Sequence, residues 1–169
     1  IKKPLVSVDS IYSENRRAQI YSRGIVQPEK ELVITSEINS KVEWISDKMK
    51  IGSSFLKGDT LIKFDNRDYE LALIVAKANV LNAELNLERE IAESNLAIKE
   101  WERVGEGKGT DLTLRKPQLA QAKATFSSSK AFEEQAERNL DRTIIIAPFD
   151  GRVKKENLNV GSSVFMGTV

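Results

Sequence analysis

The chain has 169 residues, 40% of them hydrophobic and 30% charged, enough for one ordinary domain or two small ones. Its formal net charge of +1 supplies no long-range field for nucleic acid, so no nucleic-acid partner is expected. With no cysteine and no histidine it has no disulfide framework and lacks the commonest general base and transition-metal ligand. It is therefore read as non-enzymatic, with no catalytic residue, cofactor or metal.

In chain order, residues 1–22 come first. "IKKPLVSVDS" lacks the apolar centre of a signal peptide. The alternation at Leu5, Val6, Val8 and Ile11 predicts a leading strand. No apolar run in the chain approaches the roughly 20 residues that cross a bilayer. The chain starts without Met and stops inside what reads as a strand, so it is taken as an ordered piece of a longer protein.

Residues 23–67 contain the β-prone segments "ELVITSEI" and "TLIKFD", cut by the turn signals "NSK" and "KGD". Residues 68–142 change character. From Asp68 to Arg103 there is no Pro and no Gly, and Ala, Leu, Glu, Asn and Lys dominate. This predicts a helix over about 68–104, capped by Asn66 or Asp68. "GEGKGTD" then turns the chain over 105–113, and a second helix over about 114–142 takes Pro117 in its first turn. A short loop makes the two helices antiparallel neighbours, a coiled-coil hairpin.

The first helix carries two apolar stripes: Leu71, Ile74, Ala78, Leu81, Leu85 and Ala92, and Val80, Leu87, Ile91, Ile98 and Trp101. The second carries Leu119, Ala122, Phe126, Ser129, Ala136 and Leu140, with Glu88, Asn95 and Glu133 as breaks in the seams. Leu85, Leu87, Ile91, Ile98, Trp101, Leu119, Phe126 and Leu140 are the candidate packing residues. One partner helix cannot cover two stripes. The spare one packs either on the rest of the protein or on the hairpins of neighbouring subunits.

Residues 143–169 return to β-prone sequence, and they repeat the first β segment. Gly52, Ser53, Ser54 and Gly58 align with Gly161, Ser162, Ser163 and Gly167. Upstream, "SEINSKV" (36–42) aligns with "APFDGRV" (147–153). Gly52, Gly58, Asp150, Gly151, Gly161 and Gly167 are read as turn residues, Asp150-Gly151 as a tight turn that uses positive φ. Each half is too small to bury a core alone, so the two pack together as a pseudo-symmetric β-sandwich interrupted by the hairpin, an α+β fold.

With these elements in place, "ERNLDRTIIIAPFDGRVKKENLNVGSSVFMG" and "VITSEINSKVEWISDKMKIGSSFLKGDTLIKFDNRDYELAL" resemble the two halves of the split lipoyl-like domain (barrel-sandwich hybrid) of periplasmic adaptor proteins. These are also called membrane fusion proteins, the HlyD family. The tip "GEGKGTDLTLRKPQLAQA" is similar to adaptors that serve RND-type pumps, and the resemblance covers about residues 20–169. It implies that 1–22 belongs to a β-barrel or membrane-proximal region, 23–67 and 143–169 to the lipoyl-like domain, and 68–142 to the hairpin.

The resemblance further implies a periplasmic subunit, anchored to the inner membrane through a segment outside this chain. Such a subunit assembles with itself, as a hexamer, and bridges an inner-membrane RND-type transporter to a TolC-like outer-membrane channel in multidrug efflux. The implied docking tip is Arg103, Gly105, Gly107, Lys108, Gly109, Thr110, Asp111 and Leu112. The family's tip pattern of Arg, Leu and Ser is kept at Arg103 alone. Its Leu position falls near Lys108 and its Ser position near Thr113 to Arg115. Arg103 also reads as a plain helix-end charge that complements the dipole.

Three other readings compete. A lipoyl carrier would need its lysine at the turn that the hairpin replaces, and Asp47-Lys48-Met49 lies elsewhere. An adaptor for metal export would need Met or His clusters, and this chain offers Met49 and Met166. An adaptor for an ABC or type I secretion system would carry a longer hairpin.

Overall fold

The repeated "GSS" and the glycine that follows it form the same backbone twice. In the computed structural model, which describes residues 2–105 and 107–167, Gly52 and Gly161 have φ of 85° and 90°, and Gly58 and Gly167 have φ of 90° and 89°. That region is open to glycine at little steric cost. Each turn is also tied into the other half by a matching bond. Gly52 N–H donates to the Val153 carbonyl at 2.8 Å, and Gly161 N–H donates to the Val42 carbonyl at 2.8 Å. Gly58 N–H reaches the Ala147 carbonyl at 2.9 Å, and Gly167 N–H reaches the Ser36 carbonyl at 2.8 Å. These carbonyls occupy aligned positions of the sequence repeat, so the two halves are related by a pseudo-twofold exchange of hydrogen bonds.

The strands follow from this exchange. In chain order they are β1 (Ser40–Ile45), β2 (Ser54–Phe55) and β3 (Thr60–Phe64) before the hairpin. After it come β4 (Ile144–Ile146), β5 (Gly151–Arg152) and β6 (Ser163–Val164). One sheet has the order β4-β3-β1-β6 and the other pairs β2 with β5. The β1–β6 register sets Ser40 opposite Val164 and Lys41 opposite Ser163. The β2–β5 register sets Phe55 opposite Gly151 and Ser54 opposite Arg152, the same pairs after exchange of the halves. Between them lie Ile38, Val42, Leu61, Ile62, Phe64, Ala147 and Val164, all buried, with Phe55, Met49, Tyr69 and Leu158 packed around them.

The structure corrects several local expectations. "NSK" is not a turn, since Ser40 and Lys41 open β1, which gains a neighbour on each side. "ELVITSEI" keeps the burial alternation of a strand, with Ile34, Ser36 and Ile38 turned in, but it joins no ladder. Gly151 does not use positive φ. It lies in β5 beneath the Phe55 ring, where an added Cβ would come within 2.9 Å of Cζ. The need for glycine there is close approach, not a turn.

Residues 2–32 belong to a unit of their own. Residues 2–32 are exposed and have no helix or strand, so the leading strand expected over 1–22 is not formed there. A strand is held by its ladder, and the side-chain bonds in this stretch, such as Tyr21 to Gln19 and Arg16 to Glu14, are local.

Candidate functional site

The hairpin leaves the sandwich after β3 and returns at β4. Helix α1 runs Arg67–Val104 and α2 runs Lys116–Asp141, 38 and 26 residues. At 1.5 Å per residue these span roughly 57 Å and 39 Å. The N-terminus of α1 is not capped by the side chains of Asn66 or Asp68. Asn66 instead donates to Glu70 at 2.7 Å, and Asp65 accepts from the Arg67 N–H at 3.2 Å and from its guanidinium. The ion pair with Arg67 lowers the Asp65 carboxyl to about 2.

Four further contacts tie the root of the hairpin to the sandwich. Asp65 N–H donates to the Lys41 carbonyl at 2.9 Å, and Ser40 Oγ donates to the Asp65 carbonyl at 2.8 Å. Tyr69 OH donates to the Asn39 carbonyl at 2.9 Å, and Arg142 pairs with Glu37 at 2.7 Å.

The two helices meet along a strict 3–4 seam. On α1 it reads Tyr69, Leu73, Ala76, Val80, Ala83, Leu87 and Glu90, and the same row continues through Ser94, Ala97 and Trp101, where Ser94 and Trp101 bond the return segment instead of α2; all are buried or half-buried. On α2 it reads Leu119, Ala122, Phe126, Ser129, Glu133, Ala136 and Leu140, also buried or half-buried. Small residues recur through both rows, at Ala76 and Ala83 on α1 and at Ala122, Ser129 and Ala136 on α2, and let the backbones approach. Of the expected packing residues, Leu87, Leu119, Phe126 and Leu140 lie on the seam, and Trp101 continues its row beyond the start of α2, against the return segment. Ile91 and Ile98 stand at its margin, 39% and 37% exposed. Leu85 does not pack in the hairpin. With Leu71, Ile74 and Leu81 it forms the outward stripe, each more than 60% exposed. Beside this stripe, between the helices, runs an open groove lined by Ala72, Val75, Asn79, Asn82, Phe132 and Gln135 among others.

The tip is not a symmetrical helix pair. The start of α2 lies beside Glu90–Ser94, so the last three turns of α1 extend about 15 Å past it. The return segment up to Arg115 folds back along that overhang. Trp101 organises it. Its Nε1–H donates to the Gly107 carbonyl at 3.2 Å. A Cβ on Gly105 would come within 2.6 Å of the indole, and one on Gly109 within about 3.2 Å of the indole and Leu114. Gly105 is therefore glycine because a tryptophan lies against it, Gly109 is crowded by Leu114 and the indole together, and Gly107 has a φ of 77°.

Thr110 Oγ1 accepts from the Thr113 N–H at 3.2 Å, and Asp111 pairs with Lys116 at 2.7 Å. Ser94 Oγ donates to the Leu114 carbonyl at 2.9 Å. Arg103, Val104, Lys108 and Leu112 point outward, with Val104 and Leu112 at least 70% exposed.

Sequence reasoning missed Arg115. Among the described residues it is the one non-glycine with positive φ, 55°. Such a conformation costs of order 1–2 kcal/mol. Its guanidinium Nη2 bonds Glu90 at 2.8 Å and 3.1 Å and Glu93 at 2.5 Å. The bond to Glu90, with the nearby Glu93 charge, raises its pKa further against the opposing effect of burial. Nothing in "TLRKP" marks an Arg for this conformation; a signal lay in Glu90 and Glu93, one turn of helix apart.

Elsewhere, Lys48 lies in a 3₁₀ turn, Asp47–Met49, and pairs with Asp59 at 2.6 Å. Among the described residues no group of three His, Cys, Asp or Glu could hold a metal, and no helix is long and apolar enough to cross a membrane.

No family model matches the chain. Multidrug resistance protein MdtA of Escherichia fergusonii is 27% identical over 125 residues, 69% of this chain and 28% of that protein. The chain thus spans less than a third of that relative's length. A MacA–MexA chimera carrying the Pseudomonas aeruginosa MexA α-hairpin domain matches with a TM-score of 0.56 at 27% identity, over 77% of this chain and 40% of the chimera. The membrane fusion protein Spr0693 of Streptococcus pneumoniae R6 matches with a TM-score of 0.55 at 20% identity, over 75% of this chain and 52% of that one.

Proposed function

We propose that this chain, which has the fold and the inserted hairpin of the periplasmic adaptor proteins, is the hairpin-and-sandwich part of such an adaptor in an efflux pump. In this reading it works without catalysis, in the periplasm, anchored to the inner membrane through a segment outside these residues. Copies assemble side by side, six to a ring, between an inner-membrane transporter of the RND type and a TolC-like outer-membrane channel. The cargo is a drug or another small apolar molecule.

The observation that carries this is the outward stripe of Leu71, Ile74, Leu81 and Leu85 beside a fully formed seam. The hairpin has satisfied its own pairing and still presents a second apolar face at heptad spacing over residues 71–85 of α1, the half nearer the sandwich. A face at that spacing fits another helix of the same kind. Hairpins packed by such faces close into a tube, the sandwiches pack below them, and the tips meet the channel through Arg103, Val104, Lys108 and Leu112. The 38-residue first helix supports the RND type over the longer hairpins of secretion adaptors.

The test is cross-linking in cells from single cysteines placed at Thr110 and at Leu81 of the full-length protein. The expected products are the outer-membrane channel from Thr110 and a second copy of the same protein from Leu81. Recovery of neither would reject the adaptor reading.

A further inference from the structure

We propose that Arg115 is the positioning residue of the hairpin tip: paired with Glu90 and Glu93, it fixes the return segment against the α1 overhang. This rests on the docking-tip reading above. Among the described residues the return segment has no ladder and no helix of its own. Three side-chain contacts described there hold it to α1: Trp101 to the Gly107 carbonyl, Ser94 to the Leu114 carbonyl, and Arg115 to Glu90 and Glu93. The first two are single neutral hydrogen bonds. The third is charge-assisted and, through the single nitrogen Nη2, engages two carboxylates a helical turn apart.

The backbone supports the assignment independently. Arg115 stands at the left-handed position where the return segment turns into α2. Glycine occupies such a position without strain, and the tip uses glycine freely at 105, 107 and 109. An arginine there is explained by what its side chain does. Releasing it leaves the segment that carries Lys108 and Leu112 held to α1 by the two neutral hydrogen bonds, at Trp101 and Ser94. The buried Arg115 Nε and the buried Gln118 Oε1 have no partner among the described residues, so the guanidinium is held by its outer nitrogen, toward the two carboxylates.

The experiment compares native Arg115, Arg115→Gly, the pair Glu90→Gln with Glu93→Gln, and all three changes together. Glycine keeps the left-handed backbone, so backbone strain is excluded as the cause of any change; Arg115→Gly alone leaves Glu90, 14% exposed, without its cation, and the triple variant, which removes that charge, separates a folding defect from a positioning one. Two readouts are taken: the yield of cross-link from Thr110→Cys to the channel in cells, and hydrogen exchange at the Leu114 and Lys116 amides of the purified protein.

The expected result is a loss of cross-link and a rise in exchange of roughly tenfold or more in Arg115→Gly. The double Gln variant shows the same change, and the triple variant no further one, because the three residues act as a unit. Native cross-linking and native exchange in Arg115→Gly would overturn the proposal. If the native protein gives no channel product, the docking reading fails; exchange at Leu114 then decides alone, and unchanged exchange in Arg115→Gly overturns the proposal.

Discussion

Asn39 and Asp150 occupy matching places in the two halves, and each accepts a backbone N–H from the opposite half. Met166 donates to Asn39 Oδ1 at 2.8 Å and Lys57 donates to Asp150 Oδ1 at 2.6 Å. Each side chain ties down the turn that follows the repeated "GSS", in the half it does not belong to. Replacing either by Ala removes one bond of this kind and is expected to cost about 1 kcal/mol. Urea denaturation of the two single variants would show similar losses.

Gly52 and Gly151 make separable demands. Gly52 has a φ of 85° with open space where a Cβ would go, and Gly151 has ordinary φ with the Phe55 ring above it. Gly52→Ala is expected to cost about 1–2 kcal/mol through the backbone, whatever its neighbours. Gly151→Ala is expected to cost about 1–3 kcal/mol through overlap with Phe55. Phe55→Leu in the same chain should recover part of the second loss and none of the first, as read by denaturant midpoints.

The two faces of α1 can be told apart by opposite responses. Ala83→Leu forces a larger side chain into the close-packed seam and is expected to destabilise the hairpin by about 1–3 kcal/mol. Leu85→Asp lies on the outward stripe and is expected to change the stability of the isolated chain by no more than about 0.5 kcal/mol. On the adaptor reading proposed above, the same Leu85→Asp abolishes self-cross-linking from Leu81→Cys in cells and efflux with it. Drug resistance that survives Leu85→Asp would count against assembly through that stripe.

The root of the hairpin carries an acid dependence. The folded-state pKa of Asp65 is lowered from 3.8 to about 2, chiefly by the Arg67 side-chain hydrogen bond. Asp59 is lowered as well, by the Leu56 N–H and then by Lys48. A depressed carboxylate stabilises the fold above its unfolded pKa, and that contribution is lost as pH falls through the folded value. The root should therefore loosen as pH drops from about 4 toward 2. Asp65→Asn should flatten that part of a circular-dichroism titration and lower stability at neutral pH.

The repeat was legible in the residues themselves because turns advertise their chemistry. A glycine that must take positive φ has few substitutes, so "GSS" and the following glycine stand out twice. The helices were legible for the same kind of reason, as a long run without Pro or Gly. The seam is legible only in part, because apolarity alone does not mark it. Val80 and Leu87 reach it, but Leu85 does not. Leu71, Ile74, Leu81 and Leu85 are greasier than Ala76 and Ala83, yet small residues let two helices approach more closely. The strand at 31–38 failed because alternation specifies which side chains turn inward and says nothing about whether a ladder partner lies alongside. The tip was the least legible. Trp101 reads as one more apolar residue of a stripe, and its role depends on a loop folding back over it.

Both the seam and the outward stripe keep a 3–4 rhythm, and the hairpin enters and leaves the sandwich at adjacent strands, β3 and β4. A seven-residue unit inserted into each helix would therefore advance the tip by about 10.5 Å and leave every face nearly in phase and the sandwich untouched. Three or four residues would instead swing the outward stripe about the axis by roughly 40–60°. The hairpin is a ruler graduated in heptads, and its reach can be reset in those steps alone without refitting whatever packs along its side.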